Sequence, residues 1–239
     1  PEASTVHAGI TLAEFKRLYL WEWFHRILAR VAGLVIAVPY FYLVARGAIR
    51  GRLAFLLGSL PILALGQGIL GWYMVKSGLS GRTSVSQYRL VAHLALALLI
   101  YVIAAWTLFR DVRAPGREPA GRCDGVALTV AVLVGLTIVS GGFVAGTDAG
   151  HLFNTFPLMA GQLVPPSYWA LEPGWRNWFE NPVAIQFNHR LLAMVVLATA
   201  LGAWAWSGRG FRGRVEDEAW RLVPLAVVTQ VILGIATLV

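Results

Sequence analysis

Apolar runs of about twenty residues recur along this chain, each closed by a short basic or glycine-rich polar stretch. About twenty apolar residues in a helix span the roughly 30 Å hydrocarbon core of a bilayer, so the pattern predicts transmembrane helices. Six such runs are present: Ile27 to Ile49, Leu53 to Val75, Tyr88 to Phe109, Val126 to Ala145, Ile185 to Trp206 and Trp220 to Val239. The expected fold class is all-α, a polytopic transmembrane helix bundle. Upstream of the first run, Thr11 followed by Glu14 has the form of a capping box. It opens an interfacial helix through Glu14-Phe15-Lys16-Arg17 that leads into the first span. Between the fourth and fifth runs lie about forty residues containing Pro, Trp and Asn, too polar and too broken to cross. A loop of that length in a compact protein is usually functional or a lid.

Composition agrees with the pattern. Hydrophobic residues make up 57% and charged residues only 13%, with mean hydropathy +0.64, whereas a soluble domain is about one quarter charged. The net charge of +8 would suit nucleic acid, but the basic residues sit in short loops between apolar runs, where they encode topology. No nucleic-acid partner is expected. The single cysteine, Cys123, excludes an intrachain disulfide and a CxxC redox or zinc site. The chain begins at Pro1 and stops within an apolar run at Val239, so both ends are expected to continue in a longer parent.

Charge then orients the spans. The loops after spans one, three and five carry Arg46, Arg50 and Arg52; Arg110, Arg113, Arg117 and Arg122; and Arg209, Arg212, Arg214 and Arg221. The positive-inside rule places these loops in the cytoplasm or matrix. Spans one, three and five therefore enter from the outer side, and each starts near a histidine: His25, His93 and His189. All three are expected within about two helical turns of the outer boundary. His7 and His151 fall in loops and are read as solvated residues without a role.

The segment Glu22-Trp23-Phe24-His25-Arg26-Ile27-Leu28-Ala29-Arg30 concentrates ionisable groups at that boundary. Glu22 and His25 are i,i+3, while Arg26 and Arg30 are i,i+4. Charges at a membrane boundary are costly unless they bind something or each other. Interfacial anchoring, with arginines snorkelling and Glu22 paired to Arg26, accounts for the segment equally well when it is taken alone.

A repeat adds to the picture. His25-Arg26-Ile27-Leu28-Ala29-Arg30-Val31 matches His189-Arg190-Leu191-Leu192-Ala193-Met194-Val195 at an offset of 164 residues. Gln67-Gly68-Ile69-Leu70-Gly71 matches Gln230-Val231-Ile232-Leu233-Gly234 at an offset of 163. Parallel repeats of this kind predict two pseudo-symmetric halves. The expected division is 1–110 and 125–239, joined by the basic loop 110–124. Each half lacks one helix, so the parent is expected to have eight spans and a fourth membrane histidine in its last helix.

Two imidazoles at matched depth on neighbouring helices form the ligand set of six-coordinate haem iron in a bundle. Arg26, Arg89 and Arg190 are each close in sequence to a histidine and could neutralise propionates. The small residues of Gly66 to Gly71 and Gly141 to Gly146 would leave room for a porphyrin face. No Cys, Met or His-x-x-x-His cluster favours a mononuclear zinc or copper site. Any one of these histidines alone is as well explained by a hydrogen-bonded helix end.

Several motifs together resemble the haem A synthase family in its proteobacterial and mitochondrial form. They are Glu22-Trp23-Phe24-His25-Arg26, the stretch Gln67 to Leu79, Gln87 to Leu94, Asn154 to Met159, Phe179-Glu180-Asn181 and Gln186-Phe187-Asn188-His189-Arg190. The resemblance implies an integral protein of the bacterial inner membrane, or of the mitochondrial inner membrane, with two four-helix halves. This chain would cover spans two to seven. It implies an oxidoreductase that converts the C8 methyl of haem O to the formyl of haem A for cytochrome oxidase assembly. By the same resemblance His25 and His93 hold the substrate haem, Glu22 is the essential carboxylate beside it, and His189 is one ligand of a haem b. The implied partners are the bilayer, haem O, the haem O synthase upstream and an electron-transfer protein, and a homo-oligomer is compatible with the sequence. The cysteine pair of the Gram-positive branch has no counterpart here, and Cys123 falls on the inner side. The rival functions are a bis-histidine b-type cytochrome taking electrons from quinol and, on the repeat alone, a transporter. A cytochrome would have no use for Glu22, and a transporter would set its polar groups near the midplane rather than at one end.

Overall fold

The computed structural model describes residues 11–78, 85–112, 122–207 and 215–238, with the side chains of residue 78, 110–112, 122–124, 207 and 215–221 left out. Most of the arginines of the second and third basic loops, together with His7 and Cys123, lie outside the described residues or side chains. The described chain is helical with no strand beyond an isolated bridge between Met159 and Gln162. It is an all-α membrane bundle. Five helices are long and apolar enough to cross a bilayer, and a shorter apolar segment, Leu222–Ala236, follows.

The chain forms two compact units, Pro1–Pro115 and Gly116–Val239. In the first, α1 (Leu12–Ala45) and α3 (Gln87–Val112) both pack on α2 (Gly51–Gly78). The Thr11 side chain accepts from the Glu14 amide (3.3 Å), and the Glu14 carboxylate accepts from the Thr11 amide (2.8 Å), which is the capping box the sequence signals. Interface segment and first span are one uninterrupted helix, because no Gly or Pro falls between Leu12 and Ala32. Its 34 residues extend for about 51 Å, well beyond the hydrocarbon thickness. The helix ends in a Schellman turn. Gly47 takes φ +64°, its amide bonds the Val44 carbonyl, and the Ala48 amide bonds the Leu43 carbonyl.

In the second unit α4 (Arg122–Gly146) and α7 (Val215–Ala236) both pack against α6 (Pro182–Ser207). Residues 147–181 fold as a platform with 3-10 turns at Ala149–His151 and Gly174–Arg176 and a short helix, α5 (Asn177–Glu180). Asn177, fully buried, organises it. Its Oδ1 accepts from the Leu171 amide (3.0 Å) while its Nδ2 donates to the carbonyls of Leu171 (2.7 Å) and Gly174 (3.0 Å). Asn181 Nδ2 donates to the Ser167 and Tyr168 carbonyls, and the Tyr168 hydroxyl reaches Asn188 on α6 (2.8 Å). A loop in this setting must satisfy its backbone groups within the protein, and side-chain amides do so here. Phe55, Leu65, Val35, Leu128 and Leu225 stand exposed on their helices. These are the faces that lipid covers.

Candidate functional site

In the first unit, Glu22, His25 and Arg26 lie in the third and fourth turns of α1, which starts upstream of its apolar run. Arg26 donates Nε (3.0 Å) and a terminal nitrogen to Glu22 Oε1. Both side chains are about half exposed, 46% and 54%, and an i,i+4 pair so exposed contributes only about 0–1 kcal/mol. Glu22 is therefore held without being locked.

His93 lies in the second turn of α3, with its imidazole over Gly71 of α2. A Cβ on Gly71 would meet His93 Cε1 at 3.0 Å, tighter than side chains normally tolerate. One turn earlier on α2, Gln67 Nε2 donates to the His93 carbonyl at 3.0 Å and ties the two helices at this level. His25 is exposed on α1, and α1 and α3 both pack on α2. Arg89 donates to the Ser77 hydroxyl and stacks over the Tyr73 ring at 5.1 Å.

The second unit repeats the device. His189, two turns into α6, lays its ring over Gly141 of α4, where a Cβ would meet Cε1 at 3.3 Å. His189 also lines a cleft of about 210 Å³ with Gly141, Val144, Ala145, Asp148, Gly150 and His151. That volume is below the roughly 300–1,000 Å³ of a complete ligand pocket. Gln186 Nε2 donates to the carbonyls of Gly150 (3.3 Å) and Phe153 (3.1 Å). Arg190 donates to those of Thr155 (2.7 Å) and Phe153 (2.5 Å).

Among the described residues, five buried side-chain nitrogen or oxygen atoms lack a hydrogen-bond partner: His93 Nδ1, Gln67 Oε1, His189 Nδ1, Gln186 Oε1 and Arg190 Nε. All belong to these two clusters. Buried polar atoms are almost always satisfied in native proteins, so both clusters are fitted to something besides protein.

A family model, COX15-CtaA, described as cytochrome oxidase assembly protein, matches residues 1–239. The chain belongs to this family. The chain is 43% identical over 246 residues to a protein of Rhodospirillum centenum, with all of this chain and 64% of the relative covered. It is 43% identical over 241 residues to one of Mesorhizobium japonicum (all of this chain, 66% of the relative), and 39% over 243 to one of Nitrosospira multiformis (all of this chain, 68% of the relative). Each of these relatives is called heme A synthase. The chain thus spans about two thirds of the length of the curated relatives it matches. No solved structure matches it.

In this COX15-CtaA member the sequence-named residues fall into two groups. Glu22, His25 and Arg26 share one face of α1, and His93 and Arg89 share the start of α3, all in the first unit; His189 and Arg190 sit together in the second. The arginines have protein partners: Glu22 for Arg26, Ser77 and Tyr73 for Arg89, main-chain carbonyls for Arg190. Of the glycines expected to make room for a flat ligand, Gly71 and Gly141 lie against the imidazoles of His93 and His189, Gly66 lies near Leu96, and Gly68 has no neighbour within 4 Å. The sequence reading missed Gln67 and Gln186 as tethers and Asp148 and His151 as part of the cleft. Gln67 and Gln186 were visible as polar residues one helical turn from a glycine or histidine on an apolar segment, a placement that demands a partner.

Proposed function

We propose that this chain is the central part of a haem A synthase, oxidising the C8 methyl of haem O to the formyl of haem A. The observation that carries the reading is the paired clusters of unsatisfied imidazole and amide atoms, one per unit, in a chain whose relatives bear that name. His25 and His93 hold haem O as substrate through its iron. Glu22, one turn before His25, takes the proton released at the substrate methyl or stabilises positive charge developing there. Its exposed pair with Arg26 leaves the carboxylate free to turn.

The donor set of the second unit fits a haem b: an imidazole fixed on glycine, an orphaned Nδ1, and a cleft that takes one edge of a flat ring. When bound, haem b supplies a one-electron redox centre. His189 would hold its iron. Arg190 and Gln186 hold residues 150–155 beside it. Gly71 and Gly141 let each ring approach the backbone of the neighbouring helix, where a Cβ would crowd it.

The membrane is the bacterial inner membrane, and the partners are haem O, the enzyme that makes it and an electron carrier. A cytochrome that only transfers electrons finds no support among the relatives. A reduced-minus-oxidised spectrum of the full-length protein with pigment extraction tests the assignment. Haem O or haem A recovered beside haem b supports a synthase, and haem b alone overturns it.

A further inference from the structure

The offset of 164 residues that sets His25 against His189 also sets Glu22 against Gln186 and Arg26 against Arg190. The two triads share a spacing and differ at their first member, a carboxylate in one unit and an amide in the other. What the arginine does differs with it. Arg26 directs Nε and a terminal nitrogen to Glu22. Arg190, with no carboxylate four residues back, directs both terminal nitrogens to the Phe153 and Thr155 carbonyls. Gln186, an amide that can donate, adds bonds to Gly150 and Phe153. A glutamate at 186 could do neither: it has no hydrogen to give and would draw Arg190 to itself.

The fastened segment is part of the ligand site, since Asp148, Gly150 and His151 line the cleft beside His189. Four donor contacts from α6 therefore hold one wall of that cleft shut. The first unit has the opposite requirement under the function proposed above, because its porphyrin is a substrate that must arrive and a product that must leave.

We propose that Gln186 sets the residence of the ligand on His189: an amide at this position leaves Arg190 free to clamp residues 150–155 and keeps the second-unit haem in place. The inference rests on the haem reading of this unit.

Its test is haem transfer to apomyoglobin and amide exchange of residues 150–156 in the full-length protein. Gln186→Glu is expected to load haem b, lose it roughly tenfold or more faster than wild type, and lose protection across 150–156, as follows from two to four weakened bonds. Gln186→Leu removes the amide and offers no carboxylate, so its loss rate should fall between wild type and Gln186→Glu. Equal loss rates and equal protection in Gln186→Glu and wild type overturn the clamp, as does faster loss in Gln186→Leu than in Gln186→Glu. If Gln186→Glu does not fold, Gln186→Leu decides: loss of haem faster than wild type together with lower protection across 150–156 supports the inference, and unchanged loss overturns it. Wild-type protein without a haem on His189 defeats the functional reading instead, whatever the exchange data show.

Discussion

The two units solve one problem with different firmness. In both, an imidazole two turns into a helix rests on a glycine of the neighbouring helix, and a glutamine beside it ties separate backbone segments together. The second unit adds a folded platform, with Asn177 and Asn181 at its centre and α6 holding its near edge. The first unit, as described, has an exposed ion pair at the corresponding place on α1. The proposed function gives the two units different tasks, a resident redox group on His189 and a substrate on His25 and His93.

The sharpest break of that comparison comes from the histidines. His189→Ala is expected to abolish nearly all of the b-type absorbance, and His25→Ala to keep most of it; the opposite pattern in difference spectra means the roles of the units are exchanged. Next in size is Glu22→Gln. Haem should remain bound while formyl-haem output, read by extraction and chromatography, drops by about 10²–10⁴-fold, and undiminished output removes the proton role.

Smaller effects probe the glycine seats. Gly71→Ala and Gly141→Ala each overpack a ring, at a cost of about 1–3 kcal/mol. The alanine methyl would meet His93 at 3.0 Å and His189 at 3.3 Å, so Gly71→Ala should show the larger fall in thermal midpoint and pigment occupancy. A larger effect at Gly141 would mean that the ring on α3 yields more easily than its tether suggests. Asn177→Ala leaves two carbonyls and an amide unsatisfied, which costs roughly 1–3 kcal/mol. Amide exchange should rise across 167–181 and stay unchanged in the first unit. Spread of that loosening beyond the platform would show that it is not a separate cooperative piece.

Much of this architecture was legible beforehand. Apolar runs and basic loops located the helices, Thr11 and Glu14 announced their own cap, and the offset of 164 residues exposed the duplicated histidine. The continuity of α1 was not read, because the charges of Lys16, Arg17 and Glu22 suggest an interface while the unbroken run of helix-compatible residues from Leu12 decides the backbone. The partners of Arg190 and Gln186 were out of reach for a different reason. They are main-chain carbonyls, which every residue carries and no residue type advertises. The seat of His93 on Gly71 depends on how two helices cross, and a helix crossing leaves no mark at either position in sequence.

The glycine seats bear on how such a protein is made. Each ring rests against a glycine of the neighbouring helix, so its side-chain freedom is given up as the helices associate. Biogenesis can then run in two stages, the polypeptide inserting and pairing its helices before any pigment arrives, and the pigment meeting ligands whose entropy was given up during insertion.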